Sequence, residues 1–303
     1  MSSPAPGDER VQLQSSSMFL RLSCLLLLSL VANARADSIH ITDDSGRVFE
    51  SRSAPQRIVS LLPSLTESVC ALGACKRLVG VDNYSNYPAP VRALPKLGGL
   101  DDVNIEAIVA LKPDVVLAAP SSRVGDRLRA LGVPVVTLDA KSYIDVRRVL
   151  YKLGDLLAIS GVDKFWTQME KRVVAAAQSM PARTLGLRVY FEIGSGPYAA
   201  GSTSYMGELL DRLGARNIIP ENLGPFPKIS PEFVVRANPQ VILIAESDAS
   251  GLADRPGWNK IEAISKQHVC KFRADQRDML ARPGPRMPEA AQLMADCLTT
   301  NSR

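Results

Sequence analysis

The chain has 303 residues, 46% of them hydrophobic and 22% charged, which is ordinary globular composition and more length than one core needs. Its net charge of +5 comes from 36 basic and 31 acidic residues scattered along the chain, with no Lys/Arg run interleaved with aromatics, so nucleic-acid binding has no support. His40 and His268 stand alone, the five cysteines lack metal-type spacing, and no nucleophile elbow, P-loop or dinucleotide fingerprint is present, so neither an enzyme nor a metal site is expected.

Residues 18–36 read MFLRLSCLLLLSLVANARA: a short basic start, an apolar run too brief to span a bilayer, and Ala34-Arg35-Ala36. This predicts a signal peptide over residues 1–36, with cleavage after Ala36, export to the periplasm and Met18 as a candidate start. Cys24 lies near the beginning of the apolar run rather than its end, which argues against lipid attachment. Cys70, Cys75, Cys270 and Cys297 are then an even set in an oxidising compartment. Three pairings are open to them, Cys70–Cys75 with Cys270–Cys297 being the local choice.

Beyond the leader, Val/Ile/Leu-rich runs alternate with helical patterns, which predicts a parallel α/β architecture. Strands are expected at 57–61, 78–81, 115–118 and 135–138, with helices at 65–72, 105–111, 126–131 and 145–159. Residues 163–180 hold helix formers with no internal Gly or Pro, a rod of about 27 Å at ~1.5 Å per residue. Further on, strands are expected at 188–193, 241–245 and 269–272, and helices at 205–213, 231–237, 260–265 and 289–298.

Two pieces of the chain recur. Residues 104–119, NIEAIVALKPDVVLAA, align with residues 230–245, SPEFVVRANPQVILIA: a capped short helix, a proline stop, then a buried strand. Upstream, Leu72-Gly73-Ala74 matches Leu213-Gly214-Ala215. A repeated unit predicts two lobes, at 37–160 and 184–303, with the rod at 161–183 as connecting backbone helix.

Open α/β sheets take ligands at the carboxyl ends of their strands. The loops placed there are 63–64, 82–87, 98–102, 194–198, 224–227 and 277–286. Tyr84, Tyr198 and Phe226 in them are candidates to stack on a flat ligand. Residues 277–286, RDMLARPGPR, read as a stiff loop whose arginines can donate to amides, carboxylates or phosphates. Glu106 and Glu232 occupy equivalent repeat positions at helix starts. Complementing the helix dipole explains the residue type; clasping a basic two-fold partner, one glutamate per lobe, is the functional alternative.

Four segments together resemble a family: RIVSLLPSLTE at 57–67, LVGVDNYSNYP at 78–88, NIEAIVALKPDVVLA at 104–118, and DMLARPGPR at 278–286. They are similar to the periplasmic cobalamin-binding proteins of ABC importers. These are class III solute-binding proteins of the helical-backbone metal receptor group, which also holds haem and siderophore binders. The resemblance implies two Rossmann-like, nitrogenase-like lobes joined by one long α-helix, with ligand in the cleft and little closure. It implies ligand contacts from Tyr84, Tyr198, Phe226, Asp278 and Arg282, and docking of Glu106 and Glu232 on transporter arginines. Two tryptophan positions of the cobalamin receptors are Leu100 and Ala119 here, and a cysteine that would pair with Cys297 is Leu213, so the pocket is less aromatic and the disulfide is rearranged.

The expected protein is therefore a monomeric carrier without cofactor that captures cobalamin or a related corrinoid and delivers it to a permease dimer. A haem or ferric-siderophore carrier is the alternative within the class. An exported metal-cofactor processing enzyme on the same fold is the remote one.

Overall fold

The computed structural model describes residues 1–3, 38–194 and 198–302, so the expected leader, Cys24 and the Ala36 cleavage site lie outside the described residues. The first element is a hairpin that the strand assignments above do not contain. In it β1 (Ile39–Thr42) pairs antiparallel with β2 (Val48–Ser51). Asp43 ties the turn: one carboxylate oxygen accepts the Ser45 and Arg47 amides, and the other accepts the Thr137 amide and hydroxyl. Burial alone would raise this carboxyl, but those donors outweigh it and hold the pKa below the ordinary value.

The first lobe runs β3 (Ile58–Ser60), α1 (Pro63–Ala71), β4 (Leu78–Val81), α2 (Ile105–Ala110), β5 (Val115–Ala118), α3 (Val124–Ala130), β6 (Val135–Thr137) and α4 (Tyr143–Leu157). The strands form one parallel sheet in the order β4-β3-β5-β6. Every residue of β3, β5 and β6 is buried, as a parallel sheet covered on both faces requires. A capping box between Ser142 and Asp145 starts α4.

The connector α5 (Val162–Gln178) follows. Trp166, Met169, Val173 and Ala176 form one buried stripe at helical spacing. The helix packs against α4 of the first lobe and against the last helix of the second.

The second lobe contains β7 (Arg188–Gly194), β8 (Tyr198–Ala199), α6 (Tyr205–Arg212), β9 (Arg216–Asn217), α7 (Pro231–Ala237), β10 (Val241–Ala245), α8 (Glu262–Ser265), β11 (Val269–Phe272), α9 (Ala274–Ala281) and α10 (Met287–Thr300). Its parallel core is β11-β10-β7; β9 extends it in parallel and β8 pairs antiparallel with β7. One continuous apolar cluster includes Leu117, Leu150, Trp166, Leu243 and Met294, from both lobes and the connector.

The repeat seen in sequence is a repeat in backbone. Asn104 caps α2 and Ser230 caps α7. Lys112 (φ 47°) and Asn238 (φ 46°) both turn left-handed just before Pro113 and Pro239. The ends of α1 and α6 also match. Ala74 N–H donates to the Val69 carbonyl and Ala215 N–H to the Leu210 carbonyl, each at 3.0 Å, around Gly73 and Gly214 at φ 90° and 76°.

Several expected bounds move by one or two residues, and one segment changes character. Residues 277–286 are not one loop, because 274–281 is the helix α9, in which only Leu280 is buried. The last helix starts at Met287, two residues before the expected 289. The four cysteines pair locally, Cys70 with Cys75 and Cys270 with Cys297. Among the described residues no helix is long and apolar enough to cross a membrane.

Candidate functional site

The strand ends of the first lobe carry Tyr84, three residues beyond β4. Asp82 holds this loop from below: its carboxylate accepts the Tyr84 and Ser85 amides at 2.8 and 3.0 Å, and also the Ser85 hydroxyl. Thr66 links Ser85 to Ser60, so the loop rests on a buried polar network. Burial pushes the Asp82 carboxyl up, and Ser85, the two amides and Lys96 only partly offset it. The Tyr84 ring lies beside the 98–102 turn, where a Cβ on Gly99 would come within 3.2 Å of Tyr84 Cε2. Gly98 has φ 98°, and a Cβ there would meet the Asp102 carbonyl oxygen at 2.3 Å, so this turn demands glycine.

Tyr84 and Leu100 project into solvent at 65% and 59% exposure, high for side chains of this kind. A cavity of about 430 Å³ opens beside Leu100, lined in part by Ser121, Ser122, Arg123 and Arg127. In the second lobe Tyr198 opens β8 and Phe226 lies in a bend alongside it. Ala199 N–H donates to the Pro227 carbonyl at 3.0 Å, and Gly201 N–H to the Pro225 carbonyl at 2.8 Å. Both aromatics are exposed.

The lobes meet between the Tyr84 loop and α9. Asn86 Nδ2 donates to Asp278 Oδ2 at 3.0 Å. Arg282 caps the end of α9 and is only 8% exposed. Its guanidinium donates to Glu67, Asn86, the Tyr84 carbonyl and Asp278. Arg282 is therefore buried with its two terminal nitrogens already engaged, rather than standing as a free donor. Asp278 remains half-buried at the rim; burial would raise its carboxyl, but Asn86, Arg277 and Arg282 hold it below the usual carboxylate range.

Glu106 and Glu232 are exposed at the starts of α2 and α7, one per lobe, and neither has an ion-pair partner among the described residues. Sequence reasoning gave Glu67 no role, and took Asp82, Asn86 and Arg286 only as members of the candidate loops 82–87 and 277–286. Their only signal was a charged or amide residue inside an otherwise apolar or turn-forming motif. Met287 is fully buried and Met279 is partly buried against the core, whereas Tyr84 and Tyr198 present their side chains to solvent. A second cavity, of about 910 Å³, lies away from these loops against α4, α5 and α6. In its lining Arg212 pairs with Glu170 at 3.5 Å. Among the described residues no group of three or more His, Cys, Asp or Glu side chains is placed to hold a metal ion.

Two lobes of repeated design, a rigid connector and exposed aromatics at the strand ends define a solute receptor rather than an enzyme. The chain belongs to the periplasmic binding protein family, whose model matches residues 58–275. It is 30% identical over 275 residues to an uncharacterized ABC transporter substrate-binding lipoprotein of Bacillus subtilis, covering 86% of this chain and 85% of that protein. It is 29% identical to the vitamin B12-binding protein of Pectobacterium atrosepticum, covering 78% of this chain and 86% of the relative. Among solved structures, a periplasmic heme-binding protein from Pseudomonas aeruginosa superposes with a TM-score of 0.69 at 27% identity, covering 81% of this chain and 93% of that one.

Proposed function

We propose that this protein captures a metal chelate, a corrinoid of the cobalamin class, in the cleft between its lobes and delivers it to the permease dimer of an ABC importer. The observation that carries the reading is the set of exposed apolar and aromatic side chains at the strand ends of both lobes: Tyr84 and Leu100 from one, Tyr198 and Phe226 from the other. Exposed rings there suit a broad ligand with an apolar face. Asp278 supplies a carboxylate for amide N–H groups at the rim, and Arg282 backs it. The relative named a vitamin B12-binding protein supports the corrinoid over other chelates.

Delivery follows without covalent chemistry. Glu106 and Glu232 are exposed, one on each lobe, with no ion-pair partner among the described residues, so a basic two-fold partner can meet both at once. Export by a cleaved leader and action as a monomer complete the reading.

Calorimetric titration of the mature protein with cyanocobalamin and with cobinamide tests it. Saturable heat with at least one is expected, and none with either sinks the corrinoid assignment. Haem is the second reading, favoured by the exposed Tyr84 and Tyr198 phenols, each a possible iron ligand. A Soret shift on adding hemin to the wild-type protein, lost in Tyr84→Phe or Tyr198→Phe, would select it.

A further inference from the structure

Glu67 lies on α1 in the first lobe and is 2% exposed. Its partners come from 215 and 219 residues further along the chain. Arg282 Nη1 donates to Oε1 at 2.9 Å, Arg286 Nε donates to Oε2 at 2.7 Å, and Arg286 Nη2 donates to Oε1 at 2.6 Å. Both carboxylate oxygens are thus taken by guanidinium groups of the other lobe. Arg282 carries the connection onward, donating from Nη1 to Asn86 Oδ1 at 2.8 Å and from Nη2 to the Tyr84 carbonyl at 3.0 Å and Asp278 Oδ2 at 2.8 Å.

The surroundings show a fitted contact. The Arg286 guanidinium lies 4.3 Å over the Tyr87 ring. A Cβ added at Gly284 would rest 3.5 Å from the Ser64 carbonyl oxygen, so the turn between α9 and α10 seats directly on α1. Glu67 and Asp278 balance the two arginines in charge. No buried side-chain nitrogen or oxygen of Glu67, Asn86, Asp278, Arg282 or Arg286 lacks a partner. A half-paired buried cluster would cost stability; this one is closed. Tyr205 of the second lobe is fully buried nearby; its burial and then the Glu67 charge drive its phenol well above the ordinary value.

Beside α5 the lobes also touch directly, Tyr205 N–H donating to the Lys141 carbonyl at 2.8 Å and Tyr143 N–H to the Glu208 carboxylate. The Glu67 contact is a separate attachment, between α1 and the turn from α9 to α10. We propose that Glu67, Arg282 and Arg286 form a clasp that fixes the angle between the lobes and holds Tyr84 and Asp278 in register across the cleft, so that ligand enters a preformed site. Arg282 and Glu67 are positioning residues here, acting through Tyr84 and Asp278. The effect on ligand rests on the cleft reading above; the effect on lobe angle does not.

The test is an electron–electron distance measurement between spin labels on Ala110→Cys and Ser247→Cys, exposed sites on the two lobes. A single narrow distribution is expected in ligand-free protein, unchanged by cyanocobalamin. Glu67→Gln keeps the size but removes the charge. It should broaden the distribution and weaken cyanocobalamin binding by about tenfold, as follows when about a tenth of the molecules keep the competent arrangement. Arg286→Lys keeps the charge but loses the fork, and should fall between the two. If Glu67→Gln does not fold, Arg286→Lys decides by the same distances. A distribution identical to wild type in the deciding variant, or a broad wild-type distribution that narrows only with ligand, overturns the clasp. If neither cyanocobalamin nor hemin binds wild type, the ligand reading falls, and the ligand-free distances still decide on the clasp.

Discussion

Truncating the connector at Trp166 tests whether the two lobes share one core. Trp166 is 6% exposed and meets Tyr143 of α4 edge-on, with ring centroids 5.4 Å apart and planes at 74°. Removing a nearly buried indole costs about 3–5 kcal/mol, because transfer energy is lost and a cavity remains. The edge-on pairing accounts for about 1 kcal/mol of that. In a chain of this size each kcal/mol moves the midpoint by about 2–4 °C, so Trp166→Ala should melt about 10 °C lower. Its side chain belongs to an apolar cluster that runs unbroken from the first-lobe sheet to α10. The shift should therefore appear in one transition, not two. Differential scanning calorimetry of the mature protein reads both quantities. Two transitions with only one displaced, or a shift under about 2 °C, would refute the idea of a shared core spanning the connector.

Reversing both docking candidates, Glu106→Arg with Glu232→Arg, should abolish transport in a cell-based uptake assay and leave ligand affinity unchanged; lost affinity would place them in the cleft instead. Tyr84→Ala and Phe226→Ala should each weaken chelate binding by about fivefold, the worth of one stacked ring, and leave the melting midpoint nearly unmoved because both side chains are exposed. The acid limb of stability should depend on Asp43. Its folded pKa lies below its reference value of 3.8, so the stability it gives is complete above that value and drains away as pH falls through the folded one. Asp43→Asn should therefore flatten the loss of stability below about pH 4 in denaturant titrations; an unchanged acid limb would discount the turn network.

The parallel strands and most helices were legible because apolar runs and proline stops are local signals. Residues 115–118 and 241–245 are buried along their whole length and bounded by Pro113 and Pro239, which leaves little alternative to a covered strand. The hairpin 39–51 alternates buried and exposed positions over only four residues a side, too short a stretch to stand out. Helix α9 escaped notice because ADQRDMLA carries little apolar periodicity and buries only Leu280. Its cap is also incomplete: Gln276 Oε1 accepts the Arg273 amide at 3.0 Å, but Arg273 has no side-chain acceptor for the helix's first amides. At the site, exposed aromatics on strand-end loops could be placed from sequence, but Arg282 looked like a free donor. Its role depends on Glu67, which in sequence is one glutamate in a short amphipathic helix. No local pattern records a contact 215 residues away.

The paired glutamates show what a repeat adds beyond the sum of its residues. Each is explained on its own by the dipole of the helix it opens, behind Asn104 in one lobe and Ser230-Pro231 in the other. Two copies of one unit also repeat the exit from that helix, through Lys112 and Asn238 at nearly the same left-handed φ. With α5 joining the lobes and the clasp closing the cleft floor, their separation becomes a fixed property of the protein, independent of ligand. Under the proposed function, a permease meeting such a receptor would read one constant spacing whether the cleft is full or empty. Discrimination between loaded and empty receptor would then have to come from the cleft mouth, through the chelate's exposed edge or the order it would impose on Tyr84 and Phe226. A docking assay comparing empty and cyanocobalamin-loaded protein should give equal salt dependence for the glutamate contacts and a difference that vanishes in Phe226→Ala. A salt dependence that changed with loading would mean that the spacing moves, and that the clasp does not hold it.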